Sequence, residues 1–328
     1  MKCAVVIGCM LIIALVMAQP ITNSVDTTQK GVRIVFIVKA TDSDFWQVVL
    51  SGARSAEKEL GVTVVYQAPT SEADIDKQIA ILENAIATKP DAIVIAPSTI
   101  DSLVTGIEEA TEQGIKVIVI DSRANTDKYV SFIATDNYNG GKAAADMLAQ
   151  MIKKRYGKCE GKVAIENVFA GISTATERER GFRDRLKETY PDLKVVGTRY
   201  NNNDVARAIA DAEDFLTAHP DLVGFFCINN HCGDGVARAI EMRHLEDDVA
   251  AVAFDADPQE IEALKSGALD ALLVQDPFGM GYLGISYAVR SIHGELLPKY
   301  IPTKLGIITR DNLDTEESQK LLYPELYY

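Results

Sequence analysis

Polar side chains gather where apolar runs stop. Thr41-Asp42-Ser43 follows Arg33-Ile34-Val35-Phe36-Ile37-Val38, Asp121-Ser122-Arg123 follows Lys116-Val117-Ile118-Val119-Ile120, and Pro97-Ser98-Thr99 follows Ala92-Ile93-Val94-Ile95. Further on, Asn229-Asn230 follows Phe225-Phe226-Cys227-Ile228, Asp255 follows Ala253-Phe254, and Gln275-Asp276 follows Leu272-Leu273-Val274. Carboxylates and carboxamides accept from and donate to hydroxyl groups, and the adjacent Phe45 and Trp46 offer apolar faces to ring carbons. Any one of these polar residues is ordinarily a turn former or a helix cap, the plainest role for Asp121 and Asp255. So many of them at the ends of apolar runs fit a polyhydroxylated ligand.

Catalysis has no comparable support. The chain contains no G-x-S-x-G, no P-loop and no H-E-x-x-H, and His219, His231, His244 and His293 lie far apart. Gly279-Met280-Gly281-Tyr282-Leu283-Gly284 matches G-x-G-x-x-G after an apolar run. It comes late in the chain and lacks the following strand with an acidic residue that a dinucleotide site requires, so it reads as close backbone packing. Cys227 and Cys232 flank His231, but a closed zinc site needs more ligands than these. A buried strand thiol and a helix-start thiol are expected, with no catalytic residue, metal or cofactor.

Alternating elements must position these polar ends. Short β-branched runs alternate with amphipathic stretches: Trp46, Val49, Ala53, Ala56 and Leu60 share one helical face, and Gly61 follows as a C-cap residue should. Further helices are expected over 73–87, 101–113, 140–156, 174–189, 205–218, 235–242, 258–265 and 279–293. Further strands are expected over 62–66, 162–165, 193–196, 222–228, 249–254, 269–274 and 305–308. Such alternation means parallel sheets covered by helices on both faces, with ligands held at the carboxyl ends of the strands. There are too many strands for one ordinary open sheet, so two doubly wound lobes are expected. The pattern assigns residues 31–134 and 276–304 to a first lobe, and 135–275 and 305–312 to a second, with a C-terminal extension over 313–328. The lobes are then joined by a three-crossover hinge.

A length of 328 residues suits two cores, and 47% hydrophobic with 24% charged residues is the balance of a globular protein. The net charge of -14, with no Lys/Arg stripe, argues against a nucleic-acid partner. Met1-Lys2, an apolar run from Cys3 to Ala18 and the small-residue end Val16-Met17-Ala18 read as a secretory signal over 1–18, followed by a flexible leader over 19–30. If the segment is not cleaved, it anchors the protein at the extracellular face of a membrane. Cys3 and Cys9 lie too far from its end for a lipoprotein lipobox, and Cys159, Cys227 and Cys232 are odd in number.

Several stretches carry a family resemblance. Ile133-Ala134-Thr135-Asp136-Asn137 followed by Gly140-Gly141, then Leu216-Thr217-Ala218-His219-Pro220-Asp221, Phe254-Asp255 and Gln275 resemble the ribose-type periplasmic sugar-binding proteins over about residues 32–310. The resemblance implies the type I periplasmic binding protein fold and delivery of a monosaccharide or polyol, by a monomer, to an ABC transporter permease. Input to a chemoreceptor or histidine kinase is the alternative, and an enzyme acting on a sugar a more distant one. Sugar-responsive repressors share the core, but this chain has an apolar segment where they carry a helix-turn-helix.

The resemblance also implies contacts. Phe45 and Trp46 match paired aromatics that sandwich the ring, Asp121 a hydroxyl-binding carboxylate, and Asn229, Asp255 and Gln275 polar contacts of the second lobe and hinge. Ser43 lies in the first strand-end loop, and Arg178 aligns with the second arginine of the second-lobe loop. Elsewhere the chain departs from ribose binders. Lys39 stands in place of Ser and Ala96 in place of Asn. Ser122 replaces an Arg, leaving Arg123 displaced by one residue, Thr176 replaces another Arg, and Asn203 an aromatic. A ligand other than ribose is therefore expected, and Lys39 either meets an acceptor on it or pairs with a carboxylate such as Asp42.

Overall fold

The computed structural model describes residues 31–327, so the expected signal and leader lie outside the described residues. From the start the chain forms β1 (Arg33–Ile37), α1 (Asp44–Leu60), β2 (Thr63–Gln67), α2 (Ile75–Ala87), β3 (Ala92–Ile95), α3 (Val104–Glu112), β4 (Lys116–Ile120) and β5 (Ser131–Ala134). It continues as α4 (Asn137–Tyr156), β6 (Gly161–Asn167), α5 (Ser173–Thr189), β7 (Leu193–Tyr200), α6 (Val205–Ala218) and β8 (Leu222–Cys227). Then come α7 (Asn230–Arg243), β9 (Ala250–Phe254), α8 (Pro258–Ser266), β10 (Ala271–Gln275), α9 (Pro277–Ile292), β11 (Tyr300–Pro302), β12 (Leu305–Thr309) and α10 (Glu316–Leu322).

These strands build two six-stranded sheets, ordered β11-β5-β4-β3-β1-β2 and β12-β10-β9-β8-β6-β7. Every pairing is parallel except β10 with β12. The protein is thus a two-lobed α/β fold with mainly parallel sheets. The chain passes from one sheet to the other after β5, after β10, and between β11 and β12.

Two-sided burial explains the unbroken apolar runs. In the first sheet Phe36 and Val94 pack on one face with Trp46 and Val49 of α1, while Ile37 and Ile93 pack on the other with Leu82 and Ile107. Successive strand residues face opposite ways, so a strand covered on both faces must be apolar at every position. In the second sheet all of β9 is buried, and Phe226 stacks on Phe182 of α5 with ring centroids 4.4 Å apart.

Gly61 caps α1 with φ 65°, as its type and place predict. Other boundaries move. Residues 101–103 form a turn in which Thr99 Oγ1 accepts from the Ser102 N–H, so α3 starts at Val104. Helix α7 starts at Asn230, because Asn229 Oδ1 caps it by accepting from Cys232 N; polar Asn230 and Asp234 around Gly233 hide that first turn from an apolar pattern. Strand β11 and helix α10 fall where no element is expected.

Candidate functional site

A cleft lies at the carboxyl ends of strands from both sheets. Its first-sheet wall comprises Lys39, Ser43, Phe45, Trp46, Glu72 and Asp121; Thr174, Arg178, Asn229, Asn230, Asp255 and Gln275 are among the residues opposite.

Asp121 and Asp255 are placed by the same device. The Asp121 N–H donates to the Ile133 carbonyl and the Asp255 N–H to the Leu273 carbonyl, at 2.9 and 3.0 Å. Each aspartate then turns into the left-handed region, with φ 59° at Asp121 and 82° at Asp255. Such a conformation costs about 1–3 kcal/mol outside glycine, and aspartate is among the side chains that tolerate it best. Neither residue caps a helix; Asp257 caps α8 instead. Both carboxylates line the cleft.

On the first wall Lys39 is 3% exposed, and its Nζ lies 2.7 Å from Asp121 Oδ2 and 2.5 Å from Ser122 Oγ. Ser122 Oγ donates to the same carboxylate oxygen at 2.9 Å. Lys39 therefore pairs with Asp121 rather than Asp42, because the end of β4 lies within its reach. A buried ammonium left unpaired would be costly, and this pairing removes most of that cost. Ser43 occupies the N-cap position of α1, yet its hydroxyl makes no capping bond and lines the cleft. Phe45 and Trp46 meet edge to face, centroids 5.0 Å apart and planes at 85°, rather than as two parallel plates.

On the second wall Arg178 donates from Nε to Asn137 Oδ1 and from Nη1 to the Ile228 carbonyl, both at 2.8 Å, and stacks 4.0 Å from the Phe254 centroid. Burial pushes its pKa down, against the attraction of Asp255 and Asp121. Burial likewise pushes Asp255 up, with Arg178 and the hydrogen bond from Gln275 opposing it. Gln275 Nε2 donates to Asp255 Oδ1 and Gln275 Oε1 accepts from Thr135 Oγ1, both at 2.7 Å. A hydrogen-bonded chain thus runs from the crossover at Thr135 into the cleft.

Three expected site residues stand outside the lining of the cleft, and one of them, Ser122, is buried behind it with its hydroxyl on Lys39 and Asp121. Thr176 bonds back to the Ile172 carbonyl at 2.8 Å and faces a different surface hollow beside Phe169 and Arg180. Helical spacing is the reason: Thr174 and Arg178, one turn apart, share the cleft face of α5, and position 176 turns away. Asn203 lies behind the wall, its Oδ1 accepting from Asn229 Nδ2 at 2.8 Å, so it orients Asn229. Glu72 and Thr174 line the cleft without having been singled out in the sequence. Thr174 follows from helical spacing with Arg178; Glu72, in the turn before α2, carries no local signal.

Cys227 and Cys232 are fully buried free thiols, and burial pushes both up, far from thiolate chemistry. Gly281 of the G-x-G-x-x-G stretch sits where a Cβ would come within 1.8 Å of the Val49 carbonyl, and Gly284 within 2.9 Å of Val94. These glycines serve helix and sheet packing.

Comparison with known proteins bears on this arrangement. A family model described as periplasmic binding protein domain matches residues 34–296. A ribose import binding protein of Escherichia coli is 27% identical over 277 residues, covering 84% of this chain and 90% of the relative. Among solved structures, a carbohydrate transporter solute-binding protein from Agrobacterium radiobacter in complex with D-arabinose superposes with a TM-score of 0.88 at 40% identity, covering 90% of this chain and all of that one. An ABC transporter solute-binding protein from Agrobacterium vitis with bound D-fucose gives 0.84 at 35% identity, covering 89% and 100%.

Proposed function

Since this chain belongs to the periplasmic binding protein domain family, we propose that it captures a monosaccharide or related polyol between its lobes, outside the cytoplasm, and delivers it to an ABC transporter permease. The observation that carries this reading is the cleft itself, where two left-handed aspartates, one from each sheet, meet beside Phe45 and Trp46. Carboxylates held this way accept from ring hydroxyls without reorganising, while the aromatic pair covers the apolar side of the ring. The carbohydrate ligands of the two Agrobacterium proteins support a pentose or hexose. Lys39, Ser122 and Asn203, which depart from the ribose-type pattern, support a preferred ligand other than ribose.

The proposed action is binding without turnover. Residues 31–134 with 276–304, and 135–275 with 305–312, move as lobes about the three crossovers, and ligand favours the closed arrangement because it touches both walls at once only there. The apolar segment at the N-terminus serves export.

Calorimetric titration with D-arabinose and D-fucose tests the reading. Binding is expected for the wild type, while Asp255→Ala keeps its far-ultraviolet dichroism and loses at least about ten- to a hundredfold in affinity, the worth of one charge-assisted hydrogen bond, and more if two are lost. An unchanged affinity removes Asp255 from the site, and no heat with any monosaccharide or polyol removes the function.

A further inference from the structure

Glu72 stands in the turn between β2 and α2, and it does two things no other residue of the cleft does. Its Oε1 accepts from Trp46 Nε1 at 2.7 Å. Trp46 is 2% exposed and the indole N–H is its one hydrogen-bonding group, so this bond sets how the ring lies against Phe45 and the cavity. Glu72 also decides the charge of the wall. Lys39 and Arg178 stand against Asp121, Asp255 and Glu72. Lys39 is committed to Asp121 and Ser122, and Arg178 already directs two donors at Asn137 and Ile228. Glu72 lies near enough to Arg178 to contribute to holding that charge in place. Its carboxylate turns a balanced wall into one with negative charge in excess.

We propose that Glu72 is a specificity-determining residue of this cleft: it fixes Trp46 as the platform for the ring and makes the cleft refuse anionic sugars, leaving uncharged monosaccharides as the ligand class. This rests on the sugar-binding reading above. A sugar acid or sugar phosphate would bring a further negative charge into a cleft whose cations already have partners. Like charges placed together there are strongly unfavourable, whereas a hydroxymethyl or methyl group meets no such penalty.

D-fucose and D-galacturonate are matched probes, with the same ring stereochemistry and either a methyl or a carboxylate at the exocyclic carbon. Wild-type protein is expected to bind D-fucose about a hundredfold tighter than D-galacturonate in calorimetry at low salt. Glu72→Gln keeps an acceptor for the indole but removes the charge, so the ratio of the two constants falls about tenfold. Trp46 is the single tryptophan of the chain, so intrinsic fluorescence reports its setting directly. Its emission is expected to stay as in wild type in Glu72→Gln, and to shift to the red with lower anisotropy in Glu72→Ala. Equal affinity of wild type for the two probes, or a ratio unchanged in Glu72→Gln, overturns the role in selectivity. Emission in Glu72→Ala identical to wild type overturns the role in holding Trp46. If wild type binds D-fucose, D-arabinose and every other monosaccharide not at all, the sugar-binding reading falls and this assignment with it.

Discussion

Asp121 and Asp255 hold backbone angles that most side chains avoid, and each keeps its carboxylate in the cleft rather than at a helix end. Strain of about 1–3 kcal/mol per residue persists only where the surroundings enforce it, here the ladder bonds to Ile133 and Leu273. Glu166, away from the cleft, is a third residue held at a cost. It lies on β6, fully buried beside Asn201, whose Nδ2 donates to Oε1 at 3.0 Å, while Oε2 has no hydrogen-bond partner among the described residues. Burial, reinforced by Asp211 and only partly opposed by Asn201, Arg199 and Arg207, pushes its pKa up to about 9. A carboxyl raised in the folded state binds its proton more tightly there than in the unfolded chain. Its contribution to stability is thus fully present below about pH 4.5 and is lost as pH rises toward 9. The unfolding free energy of wild type, from denaturant titration, should fall more steeply across pH 5 to 9 than that of Glu166→Gln, by a slope of up to about 1.4 kcal/mol per pH unit. Parallel curves would show that Glu166 titrates normally. At this scale sequence reading reaches residues at strand ends, such as Asp121, Asn229, Asp255 and Gln275, because topology alone brings strand ends together. It misses Glu72, whose place depends on how a turn folds back over Trp46, and it misplaces Thr176 because the phase of α5 is set by packing.

Helices α4 and α5 cross so closely that a Cβ on Gly141 would lie 2.0 Å from the Arg178 carbonyl, and one on Gly181 2.0 Å from the Tyr138 carbonyl. Helices α1 and α9 repeat the arrangement through Gly52 against Phe278 and Gly281 against Val49. Each crossing supports one wall: α5 carries Arg178 and α1 carries Phe45 and Trp46. Backbone atoms cannot yield as a flexible side chain can, so Gly141→Ala must push α5 away and move Arg178 with it. The expected cost is about 1–3 kcal/mol of stability, as for other overpacked cores, with a clear loss of sugar affinity. Gly114→Ala is a useful contrast, since its Cβ would meet nothing and only φ 85° opposes it, so it should destabilise without touching affinity. Equal affinities for wild type and Gly141→Ala would separate the crossing from the site. The elements themselves are legible because two-sided burial leaves uninterrupted apolar runs and helices leave their period. Helix α10 and strand β11 are not: both are short and partly exposed, and β11 pairs with β5, far away in the sequence. The glycine spacing that imitates a nucleotide fingerprint shows why a motif needs its structural context.

Beyond the cleft the two lobes meet through a few polar rim contacts and through Pro324–Leu326, which touches α1 while the adjoining α10 packs on β10 and β12. The Arg123 N–H donates to Ser173 Oγ at 2.8 Å, the Ile100 N–H to the Gly171 carbonyl at 3.0 Å, and Arg123 approaches Glu177 at 3.5 Å. The ion pair is half exposed on the arginine side, at 51%, so it contributes at most about 1 kcal/mol and less in salt. Two hydrogen bonds at the rim add about 1 kcal/mol each after exchange with water. Against this, closing the cleft takes Asp121, Asp255 and Arg178 out of water, and without ligand hydroxyls between them that desolvation is poorly compensated. The open arrangement should therefore dominate in the absence of sugar, with ligand supplying the difference in free energy between the two states. Small-angle scattering should show the radius of gyration of the full chain falling as D-fucose or D-arabinose saturates it. Ser173→Ala removes a rim contact and no cleft residue, so it should shift apparent affinity by less than about tenfold, by reducing the population of the closed state. A scattering curve unaltered by saturating sugar would mean that this chain binds without closing, and a membrane partner could then not distinguish its loaded form by the distance between its lobes.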